Sequence, residues 1–104
     1  MSNHFQTVAK TDDIPQGKTR CVTVNKQEIL ICHTAEGFYA VNNLCSHAEA
    51  KLSEGKLKGC KILCPLHGAA FDVKDGSALS RPASKPIATY PLNIEEDNIQ
   101  IIVP

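Results

Sequence analysis

Cys45-Ser46-His47 and Cys64-Pro65-Leu66-His67-Gly68 are the two segments whose reading decides what this chain is built for, and residues 48 to 63 separate them. In extended backbone, side chains two apart share a face, so Cys45 and His47 can address one site. In the second segment a tight turn serves the same end, with Pro65 fixing one dihedral and Gly68 leaving room after the pair. Two thiolates and two imidazoles can thus be presented to one inorganic centre. Thiolates favour iron–sulfur clusters and zinc, while imidazoles suit zinc, copper and iron, so ligand softness alone leaves the metal open.

The pairing narrows the choice. Zinc fingers usually pair like with like, two cysteines and then two histidines. Here each segment carries one cysteine and one histidine, so each can touch both metals of a two-iron unit. Five cysteines, an odd number, and no charged-then-apolar leader over residues 1–6 argue against a disulfide framework. The chain therefore reads as a cytoplasmic, metal-binding protein.

The rest of the composition sets bounds. A length of 104 residues fits one domain, 1–104. A hydrophobic fraction of 42% and a charged fraction of 21% suit an ordinary globular protein. Formal net charge is zero, which gives no basic footprint for nucleic acid and no polybasic anchor for a membrane. No apolar run approaches spanning length.

Strands are expected over residues 5–9, 19–24, 27–33 and 38–42, turned at Asn25-Lys26 and Ala35-Glu36-Gly37, as a meander or small barrel. The run from Gln27 to His33 is apolar almost throughout, as in a strand buried on both faces. Residues 47–51 read as a brief helical turn, 52–59 as a hairpin, and 61–64 and 69–73 as the approaches to the second pair. Residues 74–77 read as a turn, 80–86 as a loop, and 87–94 with 99–103 as a closing hairpin. The expected class is all-β and mainly antiparallel. Residues 1–43 and 72–104 form a β scaffold, and 44–71 an inserted cluster-binding subdomain.

The two pairs, with Leu52-Ser53-Glu54-Gly55, the run Cys64 to Asp72, Asp75-Gly76 and Arg81-Pro82-Ala83, resemble the Rieske-type ferredoxins of bacterial ring-hydroxylating dioxygenase systems. The resemblance implies one [2Fe-2S] cluster per chain, with Cys45 and Cys64 on one iron and His47 and His67 on the other. An oxidised core, two thiolates and two neutral imidazoles sum to zero charge, which makes the cluster cheap to enclose. The resemblance also implies a cluster-capping loop at Arg81-Pro82-Ala83. The respiratory-chain branch carries two further cysteines that clip its ligand loops. Ala50 and Leu66 stand at those positions, so that disulfide is excluded. Ala69 and Phe71 stand where that branch places serine and tyrosine hydroxyls near the cluster sulfurs, which implies a low potential.

The remaining candidates read as ordinary. Cys60 is a turn-flanking thiol, and Cys21 and Cys32 are small core hydrophobes. His4 and His33 are surface or satisfied histidines. Glu95-Glu96-Asp97 is a solvated turn, and Glu49 and Lys51 are candidates for docking a partner. The chain is read as a one-electron carrier and not an enzyme: a monomer that accepts from a flavoprotein ferredoxin reductase and donates to a terminal oxygenase in aromatic hydrocarbon catabolism. The imidazole edges would be its electron port. Alternatives are a small subunit of a larger oxidoreductase, such as assimilatory nitrite reductase, and a zinc-binding interaction module.

Overall fold

The apolar run after Asn25-Lys26 organises the layers. In the computed structural model, which describes residues 4–46, 50–66, 68–81 and 85–104, that run is strand β3 (Gln27–Thr34), between β2 (Thr19–Val24) and β4 (Gly37–Asn42). Asn25 and Lys26 both take positive φ, 52° and 66°, the geometry of the tight hairpin turn that matches strand twist. Alternation then splits β3 between its two faces. Ile29 and Ile31 join one apolar core, Leu30 and Cys32 the other, and all four are fully buried. The sheet β2-β3-β4-β9, completed by β9 (Thr89–Tyr90), separates these two cores.

One core packs against the sheet β1-β11-β10, formed by β1 (Gln6–Lys10), β10 (Leu92–Glu95) and β11 (Asn98–Ile101). Ile99 and Ile101 of β11 close over Ile29, Ile31 and Ala40. The other core packs against a sheet of β5 (Lys56–Lys58), β6 (Lys61–Leu63), β7 (Ala70–Asp72) and β8 (Ala78–Ser80), in that order. Its buried side chains include Leu52, Ile62 and Phe71, beneath Leu30, Cys32 and Val41. All strand pairings are antiparallel. Only two 3-10 turns, Thr11–Asp13 and Leu52–Glu54, add helical character among the described residues. No helix there is long and apolar enough to cross a membrane. The all-β antiparallel class is as expected.

Several details differ from the sequence expectation. Strand β1 leaves the meander and pairs with β11, not with β2. The stretch 87–94 is two strands on two sheets, because Pro91 has no N–H to continue a ladder. Its carbonyl instead accepts from Ile102 N–H at 3.1 Å. The hairpin expected over 52–59 starts only at Lys56. Leu52 and Leu57 are five residues apart and cannot share a strand face, and the 3-10 turn buries Leu52 completely. Strand β8 lies outside the strands expected from the sequence. Cys21 is exposed rather than buried, since β2 is an edge strand and Cys21 has only Leu30 opposite it.

Candidate metal centre

Each cysteine of the motif opens a short loop that one backbone hydrogen bond closes at the neck. Cys45 N–H donates to the Ala50 carbonyl at 2.9 Å, and Cys64 N–H to the Ala69 carbonyl at 2.7 Å. An antiparallel bridge between Leu44 and Lys51 reinforces the first neck. Both cysteines are buried, at 5% and 3% exposure, and their thiols interact. They lie in the core shared with Leu52, Ile62 and Phe71. This is why the fold needs a strand buried on both faces: one face of β3 supports the scaffold and the other floors the thiol pair.

Burial pushes the Cys64 thiol above its ordinary value of 9.0; a Leu66 backbone N–H draws it back, and the adjoining Cys45 adds to the rise. Two thiolates side by side out of water would repel and lack solvation. A cationic centre resolves both problems, since it holds coordinated thiols deprotonated. All five cysteines are thiols, and the Cys45–Cys64 pair fits a soft metal centre.

His47 and His67 lie outside the described residues, as do Glu49 and most of the helical turn expected at 47–51. Pro82 and Ala83 of the expected capping loop lie outside them too, whereas Arg81 is described and exposed. Ser46 Oγ–H donates to the Lys85 carbonyl at 2.6 Å, which ties the first ligand loop to the chain just after that segment.

The other candidates sit away from the pair. Cys60 flanks the β5–β6 turn and donates to Glu36 Oε2 at 3.2 Å, and Lys74 pairs with Glu36 at 3.6 Å. Cys32 is fully buried, its thiol pushed up to about 12 by burial. His33 Nδ1–H donates to the Ile14 carbonyl at 2.7 Å and its ring stacks on Phe38 at 3.9 Å, a satisfied histidine as expected. Lys51 is ion-paired with Glu28 at 3.2 Å. Ala50 is buried, and Leu66 is 45% exposed at the tip of the second loop. The sequence reading passed over Asn43, Glu28 and Ser46, whose polar bonds hold the first loop in place.

The Rieske [2Fe-2S] domain model matches residues 4–91. The chain belongs to the Rieske [2Fe-2S] family. A Rieske domain carries one two-iron, two-sulfide cluster per chain, and the buried thiol pair is suited to one of its irons. The ferredoxin component of the naphthalene 1,2-dioxygenase/salicylate 5-hydroxylase systems of Ralstonia sp. is 42% identical over 101 residues, 97% of either chain. The ferredoxin of carbazole 1,9a-dioxygenase from Nocardioides aromaticivorans superposes with a TM-score of 0.91 at 31% identity, covering 95% of this Rieske chain and 97% of that one. A chain from the complex of reduced oxygenase and oxidised ferredoxin in carbazole 1,9a-dioxygenase matches with a TM-score of 0.88 at 32% identity, covering 93% and 91%.

Proposed function

We propose that this Rieske protein is the ferredoxin component of a multicomponent ring-hydroxylating dioxygenase system, carrying one electron at a time from a flavoprotein reductase to a terminal oxygenase. The observation that carries the reading is the Cys45–Cys64 pair, buried on two loops with matching necks in a chain that is similar to such ferredoxins over nearly its whole length. Cys45 and Cys64 would hold one iron, and His47 and His67 the other. The cluster supplies the one-electron couple. The chain supplies a dry sulfur side at Cys45 and Cys64, and as ligands His47 and His67 would supply the electron port. Residues 44–71 serve as the cluster-bearing insert and 1–43 with 72–104 as its scaffold, the latter lending β8 as the edge strand of the insert's sheet. We place the protein in the cytoplasm as a monomer. A permanent small subunit of a larger oxidoreductase is less supported, because the relatives named above are ferredoxins.

The test is direct. Dithionite-reduced protein is expected to give the rhombic EPR signal of a histidine-ligated two-iron cluster. Mixed with the terminal oxygenase of its own system, it is expected to reoxidise in a single one-electron phase in stopped flow. A colourless, EPR-silent protein would end the proposal, and a reduced protein inert toward the oxygenase would end its carrier role.

Ala69 and Phe71 are both fully buried in the core of the thiol pair, and neither side chain has a hydroxyl to offer a sulfur. Hydrogen bonds to sulfur favour the reduced, more negative cluster. The midpoint is therefore expected near the low end of the Rieske range, roughly −150 mV. Phe71→Tyr is expected to raise it, read by redox titration. An unchanged or lower midpoint with the cluster intact sinks the hydrogen-bond account.

A further inference from the structure

We infer that Asn43, acting with Glu28, is a positioning residue for the first ligand loop, an inference that rests on the ligand assignment proposed above. Asn43 is fully buried, one of two buried polar residues among those described. A buried amide is costly unless its groups find partners, and Asn43 satisfies its groups in a particular way. Its Nδ2–H donates to Glu28 Oε1 at 3.0 Å, and its Oδ1 accepts from Ser53 N–H at 2.8 Å. Its backbone N–H donates to the Glu28 carbonyl at 3.0 Å, and its own carbonyl accepts from Leu52 N–H at 2.7 Å.

These four bonds join three segments: the start of β3, the chain leaving β4, and the 3-10 turn at Leu52–Glu54. The loop from Cys45 to Ala50 hangs between the second and the third. Glu28 completes the frame, because its other oxygen accepts from Lys51 Nζ at 3.2 Å. Lys51 is the residue bridged to Leu44 across the neck. One carboxylate therefore grips the chain on both sides of the loop, two residues before Cys45 and one after Ala50.

The side chains of Lys51 and Glu28 are 52% and 37% exposed, so their attraction alone contributes little. What the carboxylate provides is orientation. No disulfide clips the two loops, since all five cysteines are thiols, and the polar frame is what fixes the first neck instead. An amide is required at 43. A carboxylate there would face Glu28 and lose the donor, and an apolar side chain would leave Ser53 N–H without its partner.

The test compares Glu28→Ala, Glu28→Gln and Asn43→Ala in the cluster-loaded protein. The readouts are chelator-driven iron loss, EPR line width, amide exchange at Cys45 and Ser53, and melting temperature. Glu28→Ala and Asn43→Ala are expected to speed iron loss and Cys45 exchange roughly tenfold, the equivalent of one buried hydrogen bond, and to broaden the EPR lines. Glu28→Gln keeps an acceptor for Asn43 and is expected to restore most of each effect. A lower melting temperature with unchanged line width, iron loss and Cys45 exchange overturns positioning, as does Glu28→Gln behaving like Glu28→Ala. Should Asn43→Ala fail to fold, the Glu28 pair decides, since that side chain is part-exposed. Loss of the ligand assignment would show as a wild-type protein without the histidine-ligated signal. Exchange at Cys45, which needs no cluster, would still decide the inference.

Discussion

Cys64→Ser is expected to purify without iron and without visible colour. The Cys64 side chain is 3% exposed and touches Cys45, so bulk solvent has little access to take its place. A serine hydroxyl is of similar size but ionises far less readily than a thiol, and the soft cluster iron favours thiolate. The variant also loses whatever folding free energy the bound cluster contributes, so its melting temperature should fall below that of loaded wild type. Cys60→Ser is the matched control. That thiol is tied to Glu36 on the β5–β6 turn, and its variant should keep wild-type iron content and spectrum. Iron-to-protein ratio and the absorption spectrum read both outcomes. A Cys64→Ser protein with full iron and an unaltered spectrum would overturn the assignment of Cys64.

The sequence exposed the site better than its supports, and the reason is physical. Ligand chemistry resides in side-chain identity, so Cys45, His47, Cys64 and His67 stand out as candidates from their types and spacing, and the structure brings Cys45 and Cys64 together. The unbroken apolar run of β3 likewise announced burial on both faces, because no alternation was left to expose one of them. Supports are different, since they depend on which backbone groups meet. Asn43 and Glu28 look like any polar residues beside strands; only the meeting of β3, the β4 exit and the 3-10 turn makes them a frame. Cys21 shows the converse. Its strand was correctly expected, but whether a position is covered depends on the strand's place in the sheet, and β2 lies at an edge. Pro91 could have been read from the sequence, as a residue that cannot continue a ladder divides any strand assigned across it.

Gly55→Ala is expected to lower stability by about 3 kcal/mol, the upper end for forcing atoms into a packed interior. Gly55 follows the 3-10 turn with φ −92° and ψ −158°, a backbone conformation open to any residue, so the requirement is space and not φ. A methyl group at this position would lie well inside contact distance of the Leu63 carbonyl, with the Leu52 carbonyl 3.3 Å away. Both obstacles are backbone and cannot swing aside. To make room, the start of β5 must move off the end of β6, where Lys56 pairs with Leu63. Leu63 is bonded directly to Cys64, so the strain reaches the buried thiol. The melting temperature should fall by on the order of 10–20 °C, and the loaded variant should lose iron to a chelator faster than wild type. Gly17→Ala separates this from a general glycine effect. Gly17 has φ +88° with open space around a built methyl, so that variant should cost only about 1–2 kcal/mol of backbone strain and leave iron retention unchanged. If Gly55→Ala matched wild type in melting temperature and iron retention, the β5–β6 hairpin would have to be free to slide, and the close approach of Gly55 to Leu63 could not be what seats Cys64.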